Sequence, residues 1–171
     1  MNLEEFNALP VVRAEQFLLD CCGSTHWAAR MAAQRPLLDL NDLRETADSI
    51  WRDLEPADWL EAFGRHPQIG ERAAAGSESS RQWAEGEQAG MRVVAESVKA
   101  KLAQGNQAYR EKFGYIFIVC ATGKSAEEML ALLEQRLQND SALELTIAAE
   151  QQRLITRLRL EKLLTVERSL Q

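Results

Sequence analysis

The sequence predicts an all-α protein: one domain spanning residues 1–171, about seven to nine helices, and a single isolated extended segment near 115–121. Three observations predict it. Apolar residues recur at helical spacing along most of the chain. Ser, Asn, Pro and Gly fall where helices start and stop. One stretch alone, YIFIVCATG (Tyr115 to Gly123), has the β-branched and aromatic make-up of a strand.

Taken in order, NLEEFNAL can form a short helix ended by Pro10, and VRAEQFLLDCC follows and stops at Gly23. Ser24 can cap THWAARMAAQ, which ends before Pro36. Asn41 can cap DLRETADSIWRDL, where Leu43, Ala47, Ile50 and Leu54 share one face. Pro56 suits the first turn of PADWLEAF, ended by Gly64. Residues 64–79 read as loop, and the Gly- and Ser-rich stretch from Gly70 to Ser80 is expected to be mobile when empty and to order around a ligand. Helix is expected again from Ser79 or Ser80, with a bend at Gly86, as far as Gly105. NQAYREKF is expected as a separate short helix closed by Gly114. Ser125 to Glu128 (SAEE) is a capping box opening AEEMLALLEQRL. Ser141 to Glu144 (SALE) repeats the signature before a long helix to about Glu167, with Leu154, Leu158 and either Leu160 or Leu163 on its core face.

Composition narrows the function. The net charge is −6 with no basic face, which argues against nucleic acid and anionic membrane as partners. The three cysteines include an adjacent pair, Cys21 and Cys22, with Cys120 apart. An odd count with an adjacent pair points to buried thiols in a reducing compartment, not to disulfides or zinc. No apolar run could span a bilayer and the N-terminus lacks a signal-like segment, so a soluble cytoplasmic protein is expected. There is no repeat, no low-complexity tract, no P-loop and no dinucleotide fingerprint. GKS within ATGKS reads as the turn into the Ser125-capped helix.

The extended segment poses a physical problem. A lone strand cannot satisfy its own peptide groups. Either it is a buried connector bonded to loops and side chains, or its amide edge faces a pocket and reads a ligand that carries amides. Other candidates surround it. His66, one of two histidines, is stiffened by Pro67, and an imidazole held still suits proton transfer. A lone histidine is more often a surface or capping group. Glu87 could orient that imidazole and Gln88 could bond a donor and an acceptor together, though helix-surface polarity is the ordinary meaning of both. Arg157 and Arg159 lie beside an apolar face, where a half-buried guanidinium suits a carboxylate. A solvated arginine pair is the commoner outcome. No metal site is expected, because the two histidines lack partners at ligand spacing.

The motifs HPQIG, EQAG, N-x-x-Y-x-x-K-F-G-Y-x-F-I-V-C-A-x-G-K-S, RLQND and LRLEKL, in that order, resemble the 2-oxo-4-hydroxy-4-carboxy-5-ureidoimidazoline (OHCU) decarboxylase family. The resemblance covers about residues 5–166, and the block from Asn106 to Ser125 is its most specific part. It implies an all-α enzyme of urate degradation that converts OHCU to (S)-allantoin without a cofactor, with OHCU and allantoin as its small-molecule partners and a homodimer as its assembly. It implies His66 as catalytic acid/base, with Glu87 beside it. Pro67, Ala84 and Gln88 would line the site, and the peptide groups of Ile118, Val119, Cys120 and Ala121 would touch the ring and ureido amides. It assigns the substrate carboxylate to Arg159, with Arg157 in reserve. Many relatives carry a small hydroxyl residue where this chain has Ala84, so that side-chain hydrogen bond is not expected here. Two other classes remain open on sequence: a helical interaction module and a cofactor-free cyclic ureide hydrolase.

Overall fold

A computed structural model describes residues 1–67 and 96–165. Among these residues the chain forms eight helices and no strand, as the periodicity predicts. They are α1 (Leu3–Ala8), α2 (Val11–Cys21), α3 (Thr25–Ala33), α4 (Leu40–Arg52), α5 (Pro56–Phe63), α6 (Glu96–Phe113), α7 (Ala126–Arg136) and α8 (Ser141–Thr165). Contacts divide the chain into two compact units, Met1–Ala62 with Arg153–Gln171, and Phe63–Gln152. The expected helix from Ser79 and bend at Gly86, the ligand-ordering loop beyond Pro67, and the helix end near Glu167 lie outside the described residues.

In the first unit α2 packs on α3 and α3 on α4. α1 starts with a reciprocal cap: the Glu5 amide donates to Asn2 Oδ1 at 2.8 Å and the Asn2 amide to Glu5 Oε2 at 3.1 Å. Its C-terminal carbonyls would be orphaned by Pro10, but the Arg35 guanidinium donates to those of Phe6, Asn7 and Leu9. Ser24 caps α3 by accepting from the Trp27 amide at 3.2 Å. The cap of α4 is Asp39, not Asn41. Asp39 Oδ1 takes the amides of both Asn41 and Asp42 at 2.8 Å, and Asn41, inside the first turn, bonds Glu45 instead. Leu43, Ala47, Ile50 and Leu54 are buried as their spacing predicts. Trp27 is fully buried and Trp59 half-buried, and they donate their indole N–H groups to the Ala47 and Trp51 carbonyls respectively.

In the second unit α6 packs on α7. α6 runs straight through Gly105, where the sequence suggests a break. A β-carbon there would stand 2.5 Å from Leu133 Cδ2 on α7, so the glycine permits close helix approach. Gly114, at φ 83°, ends α6, and Gly123, at φ 76°, makes the turn before Ser125. Ser125 accepts from the Glu128 amide at 3.1 Å. A core of Leu102, Tyr109, Phe117, Val119, Ala126, Met129 and Leu133 draws the extended segment between the two helices.

The second capping box does not form. Asp140 caps α8, accepting from the Leu143 amide at 2.9 Å. Glu144 is fully buried instead. Arg136 and Tyr109 both donate to its Oε1, and Asn139 donates to its Oε2. On the rest of α8, Leu154, Leu158 and Leu163 are only partly buried. The deeply buried face is Gln152, Ile155, Thr156, Arg159, Leu160 and Leu164.

Candidate active site

His66 sits in the turn that ends α5, its amide donating to the Phe63 carbonyl at 3.2 Å. Pro67 follows, and both are half-buried. The imidazole Nε2 lies 2.5 Å from Oε1 of Gln152, a side chain with no exposed surface. The neighbouring Gln151 accepts the Cys120 amide on its own Oε1 at 2.9 Å. Adjacent helical residues point about 100° apart. One turn of α8 thus holds the imidazole with one glutamine and the extended segment with the other. Sequence reasoning missed both, because a glutamine on a helix reads as solvated surface.

The extended segment is, in part, the buried connector that its composition allows. Side chains satisfy part of it. Arg136 donates to the Ile118 carbonyl at 2.6 Å and Lys124 Nζ to the Cys120 carbonyl at 2.8 Å. The Val119 peptide forms no hydrogen bond among the described residues. Ile118, Val119 and Cys120 are buried and Ala121 is half-buried. Arg136 fixes the segment from beneath, its guanidinium 4.5 Å from the Phe117 ring centroid and paired with buried Glu144. Burial, with Glu144 beside it, pushes the Tyr109 hydroxyl well above the usual phenol range, so it stays a proton donor to that carboxylate.

Arg159 belongs to the first unit and is 7% exposed, deeper than its place beside an apolar face suggests. Its charge acts on Cys21 and Cys22, but burial dominates both. The Cys21 thiol is raised well above its ordinary value and the Cys22 thiol is pushed up to about 11. All three cysteines are free and buried, as the sequence predicts. Arg157 turns outward, 3.9 Å from Glu161. The second histidine, His26, is largely exposed and pairs with the buried Asp58 at 2.7 Å, also in the first unit. Ala84, Glu87 and Gln88 lie outside the described residues. Among the described residues no group of three His, Cys, Asp or Glu side chains could hold a metal ion.

The family model for OHCU decarboxylase matches residues 7–161. The chain belongs to the OHCU decarboxylase family. A crystal structure of an OHCU decarboxylase in the presence of (S)-allantoin superposes with a TM-score of 0.76 at 38% identity, covering 87% of this chain and 97% of that one. The 2-oxo-4-hydroxy-4-carboxy-5-ureidoimidazoline decarboxylase of Amia calva is 31% identical over 139 residues, 80% of this chain and 79% of its own. The uric acid degradation bifunctional protein TTL of Arabidopsis thaliana is 37% identical over 145 residues, 84% of this chain; the match spans only 45% of that longer protein. The OHCU decarboxylase match runs through every described candidate residue, from His66 and Pro67 through 118–121 to Arg159.

Proposed function

We propose that this protein is a carboxy-lyase that converts OHCU to (S)-allantoin in urate degradation, without a cofactor. The observation that carries the reading is the single turn of α8 that ties His66 and the amide-rich segment at Cys120 to adjacent glutamines, in a chain of this family. An imidazole for proton transfer and a row of peptide groups for a ureido ring are the two things this reaction needs from a protein.

The substrate supplies its own electron sink. In OHCU a ring carbon carries a hydroxyl and a carboxylate next to a C=N bond. When CO2 departs, the electron pair left behind flows toward that C=N, whose nitrogen takes a proton from solvent. The hydroxyl proton is removed as the C=O forms, and a proton is delivered to the neighbouring carbon from one face. His66 performs both proton steps, taking from oxygen and giving to carbon, so it ends as it began. Glu87 supports the charged imidazole between them. Peptide groups of Ile118, Val119, Cys120 and Ala121 hold the ring and ureido amides flat, with Pro67, Ala84 and Gln88 completing the walls. Arg159 takes the carboxylate; its burial and the outward position of Arg157 support that assignment.

The whole chain acts as one catalytic domain, a homodimer in the cytoplasm, with no nucleic acid or membrane partner. No described helix is long and apolar enough to cross a membrane. Mixing the protein with freshly generated OHCU and following circular dichroism tests the proposal. A growing (S)-allantoin signal above the spontaneous rate is expected. An unchanged, racemic decay would refute it, and ring opening of added allantoin would point to a ureide hydrolase.

A further inference from the structure

We infer that Gln152 is a positioning residue that fixes His66 as its Nε2–H tautomer, leaving Nδ1 as the nitrogen that exchanges protons with the substrate. The second half rests on the proposed acid/base role of His66; the first half stands on geometry alone.

Hydrogen-bond capacity decides the tautomer. A neutral imidazole carries one proton on one of two nitrogens, and the partner of one nitrogen decides which. The atom facing Nε2 is Oε1 of Gln152, 2.5 Å away. An amide oxygen only accepts, so Nε2 must donate, and the lone pair falls to Nδ1. Gln152 is suited to impose this choice. It has no exposed surface, so water cannot replace its oxygen, and it sits on α8 far from either helix end. His66, half-buried in a turn stiffened by Pro67, has little freedom to swing away.

Gln152 therefore takes the imidazole-orienting role that the sequence suggests for Glu87. A neutral amide suits that role. A carboxylate on Nε2 would favour the imidazolium and hold its proton, whereas an amide orients the ring and leaves the charge free to come and go. Nδ1 accepts the substrate hydroxyl proton, giving an imidazolium whose Nε2–H still points at Gln152. It then passes a proton to carbon and returns to the same tautomer. Gln151, on the Cys120 amide, sets the segment from the same helical turn.

The chain has only two histidines, so 15N-histidine labelling gives a two-residue spectrum that His26→Asn assigns. Above the imidazole titration, long-range proton–nitrogen correlation of the otherwise unchanged protein should show His66 Nε2 pyrrole-like and Nδ1 pyridine-like. Protonation on Nδ1, or an average of the two forms, would overturn the inference. Gln152→Leu should collapse the bias toward an average and lower kcat on the order of ten- to a hundredfold, with KM nearly unchanged. Gln152→Glu keeps an acceptor and should keep the tautomer. A Gln152→Leu protein that retains the Nε2–H form would refute the role. If that variant does not fold, the spectra of the unchanged protein and of Gln152→Glu still decide. None of these spectra needs turnover, so they can succeed or fail independently of the OHCU assay.

Discussion

Glu144→Gln is the most informative change outside the candidate residues, because it removes one charge and almost no volume from the centre of the second unit. Glu144 is fully buried and Arg136 is 5% exposed. Two Arg136 nitrogens reach Glu144 Oε1, at 2.7 and 2.5 Å, while a third donates to the Ile118 carbonyl. Taking one partner from a buried ion pair costs about 3–5 kcal/mol, since the remaining charge is left uncompensated. Against a total of about 5–15 kcal/mol for a protein of this kind, that is a large share. At about 2–4 °C per kcal/mol for a chain of this size, Tm should fall by about 6–20 °C, read by calorimetry. Adding Arg136→Met should recover part of the loss, because both charges are then gone. Activity should not recover with it, since the Ile118 carbonyl has lost its donor and the segment proposed to read the substrate its anchor. A single-variant cost below about 1 kcal/mol, typical of an exposed pair, would refute the buried network. A double variant with full activity would refute its link to the segment.

Four further outcomes are expected. Gly105→Ala should destabilise modestly, because about 1–3 kcal/mol of overpacking against Leu133 outweighs the gain of about 1 kcal/mol in helix propensity; calorimetry showing a stabilised variant would contradict the close approach. Arg159→Lys should raise KM by about ten- to a hundredfold through the loss of a fork-shaped pair with the carboxylate, whereas Arg157→Gln should leave it nearly unchanged, as steady-state kinetics would register. Stability should fall at alkaline pH. Burial pushes the folded-state Cys22 thiol up from its ordinary 9.0 to about 11, so its contribution is complete below pH 9 and is lost as pH rises toward 11. Cys21 and Tyr109, raised in the same sense, steepen the loss, and denaturant titrations from pH 8 to 11 read it. The same burial should keep all three thiols silent to a thiol reagent at pH 8 until the protein unfolds.

Local chemistry was legible and long-range chemistry was not. Helix starts at Ser24 and Ser125 could be read because a cap and the amides it satisfies lie within four residues. Asp39 and Asn41 are both good caps in one short run, and only the backbone decides between them. Gly105 looked like a break because its reason, the Leu133 side chain, lies on another helix. Glu144 looked like half of a capping box because its real partners, Tyr109 and Arg136, are remote in sequence. His66, Arg159 and the 118–121 segment stand out as candidates because rare residue types and the family motifs mark them. Gln151 and Gln152 carry no such mark: their meaning is the imidazole and the peptide group they meet after folding.

The central claim is that the His66 imidazole moves the protons of decarboxylation. The most direct measurement is stereospecific turnover of fresh OHCU by His66→Asn, followed by circular dichroism beside a thermal melt of the same sample. A native-like melt is expected, with turnover reduced on the order of 10²–10⁴-fold and no excess of (S)-allantoin. A folded His66→Asn protein that makes (S)-allantoin at the unaltered protein's rate would contradict that claim.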